Sequence, residues 1–130
     1  MRRVRSTSAP RARPLLAVLL LLWLLGCSER QTLMVTATAY NSHPSQTDSL
    51  PTLAAWGDEL RPGMQIIAVS PDLLEMGLTH RTVVWIEGLP GPYEVLDRMP
   101  SRHHRRIDIY MGDDVQRARE WGRREVEITW

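Results

Sequence analysis

Two aspartates carry the clearest chemical signal in this 130-residue chain. Asp97 follows Tyr93-Glu94-Val95-Leu96, and Asp108 stands between Ile107 and Ile109 in Arg106-Ile107-Asp108-Ile109-Tyr110. Asp is a poor strand former and costs free energy to bury. Burial also raises a carboxyl pKa, which a general acid working near neutral pH requires. The plainer alternative is a pair of solvent-facing side chains on an edge strand. The two residues are 11 apart on segments read as adjacent strands, so they are expected to meet across a hairpin or barrel seam. Held close, like charges raise one pKa and leave a protonated acid beside an ionised partner. Hydrolysis of a glycosidic bond usually employs such a pair.

Other chemistries find little support. There is no Gly-x-Ser-x-Gly elbow and no phosphate-cradling glycine loop. His43, His80, His103 and His104 lack zinc-site spacing, so no metal and no cofactor is expected. The basic run Arg102-His103-His104-Arg105-Arg106 reads as a solvated loop, or else as a rim that binds phosphate or carboxylate through the planar Arg fork. The polar loop from Asn41 to Asp58 contains Asp48, Trp56 and Asp58. Trp56 is a candidate for stacking on a sugar ring, with a core or lid Trp as the alternative. Tyr40 borders the same cleft or fills the barrel core.

The elements that must hold these residues are short. Met34–Tyr40, Gln65–Ser70, Thr82–Gly88, Tyr93–Asp97, the segment around Asp108 and Glu125–Trp130 read as six strands. Leu89-Pro90-Gly91-Pro92 turns the third strand into the fourth. Pro71 to Met76 reads as one helical turn, with Ser70 as a candidate cap and Gly77 as its stop. Asp113 to Trp121 reads as a short helix ended by Gly122. Many short strands with one or two short helices indicate a compact mainly-β barrel.

The N-terminal 26 residues read as an address. Arg2, Arg3, Arg5, Arg11 and Arg13 precede the apolar run Leu15–Leu25, which is too short for an ordinary span of about 20 residues. Leu24-x-Gly26-Cys27 resembles a bacterial lipobox, making Cys27 the lipidation candidate and residues 27–33 a tether to a domain at 34–130. Ser28 stands where a retention Asp would otherwise lie, which favours the outer membrane, facing the periplasm. Cys27 is the sole cysteine, so no internal disulfide forms. The formal charge of the whole chain is +1, but removing the first 26 residues leaves 11 arginines against 15 acids, a net charge of −4. That argues against nucleic acid as a partner.

The longer pattern is more specific. Val35-Thr36-Ala37-Thr38-Ala39-Tyr40, Ile67-Ala68-Val69-Ser70, Val95-Leu96-Asp97, Arg106-Ile107-Asp108-Ile109-Tyr110 and the segment from Ala118 to Val126 together resemble the three-aspartate domain family. That family consists of bacterial cell-wall proteins related to membrane-bound lytic transglycosylase A. The resemblance implies a six-stranded double-psi β-barrel, a peptidoglycan partner, and Asp108 as the catalytic acid supported by Asp97. It implies lytic transglycosylation, in which one carboxyl protonates the glycosidic oxygen and then directs the muramic C6 hydroxyl into a 1,6-anhydro ring. Two departures stand out. Ser70 occupies the place of the family's first aspartate, with Asp72 two residues on, and is carried with Tyr40, Trp56 and Asp58 as a substrate-binding candidate. Asp97-Arg98-Met99-Pro100 replaces Asp-Thr-Gly-Gly, putting bulk where glycine would admit a sugar closely. A non-catalytic wall-binding module and a structural envelope lipoprotein are the competing expectations.

Overall fold

A computed structural model describes residues 28–42 and 52–130. The signal segment, Cys27 and Asp48 lie outside the described residues. Six strands form a closed barrel: β1 (Thr32–Tyr40), β2 (Ile66–Val69), β3 (Val83–Ile86), β4 (Pro92–Arg98), β5 (Arg106–Tyr110) and β6 (Arg124–Thr129). Around the barrel their order is β1-β5-β2-β4-β3-β6. The β1–β5 and β2–β4 pairs are parallel, and the other four are antiparallel. Two short helices, α1 (Pro71–Glu75) and α2 (Val115–Trp121), sit between strands. The fold is the six-stranded double-psi barrel that the sequence led us to expect.

The first strand begins at Thr32, inside the segment read as a tether, and Gln31 already exchanges two backbone hydrogen bonds with Trp130. The cause is the length of β6, whose residues Thr129 and Ile128 pair with Thr32 and Leu33. Ser70 stands at the N-cap of α1 but makes no capping bond with its side chain. Helix α2 starts at Val115, two residues later than the expected Asp113, and Asp114 is its N-cap, accepting from the backbone N–H of Arg117.

Alternation sorts the side chains into two layers. Val35, Ala37, Ile67, Val69, Val84, Ile86, Tyr93, Val95, Ile107, Ile109, Val126 and Ile128 fill the barrel. Each fully buried Ile or Val contributes about 1.5–3 kcal/mol relative to exposure. A second cluster lies outside the barrel wall, where Ile66, Leu96 and Tyr110 are covered by Ala54 and Leu60. The segment carrying those two residues is pinned by an isolated bridge between Leu53 and Glu59. It approaches Gly112 so closely that a Cβ there would lie 3.1 Å from the Pro62 Cα, and Gly112 has φ +61°.

The fourth strand breaks the alternation at one place. Ile67 pairs with Val95 but Ala68 pairs with Asp97, so Leu96 is an extra residue, a β-bulge. Strict alternation from Tyr93 and Val95 would aim Asp97 into the barrel. Instead Val95 is inside, while both Leu96 and Asp97 lie outside.

Candidate functional site

The bulge puts Asp97 in one transverse row with the residues that β1, β5 and β2 supply. Thr38 is the register partner of Asp108, Asp108 of Ala68, and Ala68 of Asp97. The two aspartates are therefore not on adjacent strands as expected. Strand β2 runs between them, so their Cα atoms are two strand spacings apart, roughly 10 Å. Ala68, with its single methyl, leaves the space above it open. The row floors a groove of about 500 Å³ lined by Tyr40, Asp97, Asp108 and, along the rim, Arg98, Arg102 and Arg106. Met99, Pro100 and His103 complete its wall.

Asp97 is firmly held. Its Oδ1 accepts the backbone N–H groups of Ala55 and Arg98, each at 2.9 Å, and its Oδ2 accepts the Tyr40 hydroxyl at 3.3 Å. Tyr40 is thus at the cleft rather than in the barrel core. Burial, followed by the charges of Asp97 and Asp108, raises the Tyr40 pKa far above the usual phenol value, so it remains a hydrogen-bond donor.

Asp108 is built differently. Its Oδ1 accepts from Thr38 Oγ1 at 2.9 Å. Thr38 Oγ1 in turn accepts from Arg106 Nε at 3.4 Å and Nη2 at 3.2 Å. A hydroxyl has one proton, and the guanidinium on its lone-pair side turns that proton toward Asp108. Arg106 also donates to His103 Nδ1 at 3.2 Å. Desolvation and then the charges of Arg106 and Arg102 hold that imidazole below its usual pKa, matching an unprotonated Nδ1 acceptor. Burial pushes the Asp108 carboxyl up to about 6, against the opposing effects of Thr38 and Arg106. The charge of Asp97 is the smallest contributor. Of the two causes expected from sequence, desolvation dominates and mutual repulsion of the carboxylates is secondary; two strand spacings explain why.

Ser70 is not a groove residue. It is fully buried, and its hydroxyl accepts the backbone N–H of Arg106 at 3.0 Å. Asp72 binds the next amide along, with Oδ2 accepting from Arg105 at 2.8 Å. The two residues tether the start of β5, where Arg105 has a left-handed backbone (φ +44°). Their reach to the site is indirect, through Arg106.

Trp56 and Asp58 form a separate cluster. The Trp56 ring stacks on His80 at 4.9 Å with an interplanar angle of 28°. Asp58 accepts from His80 Nε2 at 2.6 Å and from Arg81 Nη2 at 3.0 Å. Neither Trp56 nor Asp58 lines the groove, although Ala55, beside Trp56, supplies an N–H to Asp97. Sequence reasoning did not single out Thr38, and it carried Arg106 only as part of the basic run read as a solvated loop or an anion-binding rim. The available signal was period two: Arg106 with Asp108, and Thr38 with Tyr40, share strand faces.

No family model and no curated protein matches the chain. Among solved structures, it is similar to the crystal structure of apo expansin from Clavibacter michiganensis, with 18% identity and a TM-score of 0.51. The match covers 77% of this chain and 50% of that one, so the chain spans half the expansin's length. At this identity the likeness speaks for the shared barrel fold.

Proposed function

We propose that the groove acts on peptidoglycan glycan strands by lytic transglycosylase-type cleavage of the β-1,4 bond between N-acetylmuramic acid and N-acetylglucosamine. The observation that carries this reading is Asp108, a carboxyl with its pKa pushed up to about 6 on the floor of an open groove. A group of that pKa is protonated in about one molecule in ten at pH 7 and exchanges its proton readily. Thr38 donates to Oδ1, so the acidic proton resides on Oδ2. That proton passes to the glycosidic oxygen as its bond to muramic C1 breaks. The resulting carboxylate then takes the proton of the muramic C6 hydroxyl as O6 bonds to C1. The anhydro ring closes and Asp108 returns to its acid form. Asp97, fixed by three donors, supplies negative potential to the positive charge developing at C1. On the same reading the protein belongs to the three-aspartate domain family, and a lipid on Cys27 anchors it to the outer membrane, facing the periplasm.

Incubation with purified sacculi tests this. Wild-type protein is expected to release 1,6-anhydromuropeptides, and Asp108→Asn to release about 10²–10⁴-fold less. Failure of the wild type, where a control transglycosylase succeeds, overturns it. A second reading is a wall-binding module without chemistry. It is favoured by Arg98, Met99 and Pro100 along the groove, where a glycine pair would leave more room for a sugar. That reading expects sedimentation with sacculi to survive Asp108→Asn.

A further inference from the structure

The cations of the groove are distributed unevenly between structural work and none. Arg106 is committed to Thr38 and His103. The ion pairs of the described residues join Arg61 to Glu59, His80 and Arg81 to Asp58, and Arg81 to Glu94. None engages Arg98 or Arg102, yet both line the groove. They flank it from one connection: Arg98 ends β4, and Arg102 lies in the loop that leads to β5. The contrast with the rest of the molecule is electrostatic. Residues 28–130 carry four more acids than arginines, while residues 98–106 contain four arginines, two histidines and no acid. A groove with a cationic rim on an acidic protein focuses anions onto its own mouth. Guanidinium groups bind carboxylates through paired, charge-assisted hydrogen bonds.

We propose that Arg98 and Arg102 form a carboxylate-reading rim, so that the groove selects a glycan bearing a carboxylate near the bond above Asp108. The proposal rests on the glycan reading of the groove and deepens it. The carboxylate has two possible sources: the lactyl ether of a peptide-free muramic acid, or the stem peptide attached to it. Both present the same chemistry to an Arg fork, at different distances from the sugar ring.

The test titrates the full-length protein, in the Asp108→Asn background so that nothing is cleaved, with three tetrasaccharides. These are neutral chitotetraose, peptide-free peptidoglycan glycan with its lactyl carboxylates, and the same glycan carrying stem peptides. At low salt, one of the two acidic glycans is expected to bind about tenfold more tightly than chitotetraose, and which one does so identifies the source. Adding Arg98→Gln with Arg102→Gln should bring that ratio to about one, whereas Arg119→Gln, on the exposed side of α2, should preserve it. Equal binding of all three sugars, no binding of any, or a ratio unmoved by the double substitution overturns the proposal. The sacculus assay separates it from the reading beneath it. A ratio of one with anhydro products from the wild type removes the rim and leaves the cleavage; a tenfold ratio without products does the reverse.

Discussion

The groove and the Trp56 cluster each centre on a partly buried aspartate, and they treat it in opposite ways. Asp58 is met directly by two side-chain donors, His80 and Arg81, and its neighbour Trp56 covers the His80 ring. Asp108 has a guanidinium close by, but Arg106 reaches it through the Thr38 hydroxyl. A carboxylate whose oxygens are taken up by side-chain donors from another segment is a fastener. One that is desolvated and only partly compensated keeps its proton near neutral pH. Both aspartates were site candidates from sequence; the way each is compensated separates a clamp from an acid.

The largest test of that contrast is catalytic. Asp108→Asn should lower anhydromuropeptide release by about 10²–10⁴-fold, the range for losing a general acid, while Asp58→Ala should lower it far less. Comparable losses in both variants would erase the distinction.

Stability against pH comes next. The Asp108 carboxyl has a folded pKa of about 6 against an ordinary value near 3.9, so between those values the folded state holds more proton than the unfolded one. Its contribution therefore falls as pH rises from about 4 to about 6 and stays low above that. Asp108→Asn should remove this decline and stabilise the protein at pH 7 by at most about 3 kcal/mol, read by urea unfolding at pH 4 and pH 7. Asp58→Ala should instead cost about 1–2 kcal/mol at pH 7, because it strips His80 and Arg81 of their shared acceptor.

The smallest effect concerns the relay. Thr38→Val keeps the shape and removes the donor to Asp108, which disfavours the carboxylate. The alkaline limb of the pH–activity profile should move up by about one unit or less. Movement toward acid would mean that Arg106 has swung into direct contact with Asp108.

Much of this was legible in the sequence. The strands announced themselves through alternation, as in Ile107 and Ile109 inside with Arg106 and Asp108 outside. The Leu89–Pro92 turn joined β3 to β4, and Gly122 ended α2. The importance of Asp108 could be read from its apolar neighbours. What could not be read was how far apart the aspartates lie, because adjacency in a barrel follows from strand order, and here β2 enters between β4 and β5. Ser70 was misplaced for a related reason. Its hydroxyl looks available in sequence, but the return of β5 beside it supplies a backbone N–H and buries it. Thr38 and Arg106 acquire their roles only once β1 and β5 are laid in parallel register.

The bulge at Leu96 gives β4 a phase as well as a composition. Ironing out the bulge with that residue in place would rotate Asp97 by half a turn into the apolar interior, whereas deleting Leu96 would leave Asp97 next to Val95 and still facing out. The deletion would instead pull Leu96's contact out from beneath the 52–64 segment, and with it the support for the Ala55 amide. The site therefore depends on the bulge itself: substitutions at Leu96 trim a contact, whereas pairing β4 without the bulge changes which side of the barrel wall the second carboxylate occupies. Among related chains, an even spacing between the Tyr93 and Asp97 positions should go with a bulge, and an odd spacing with none.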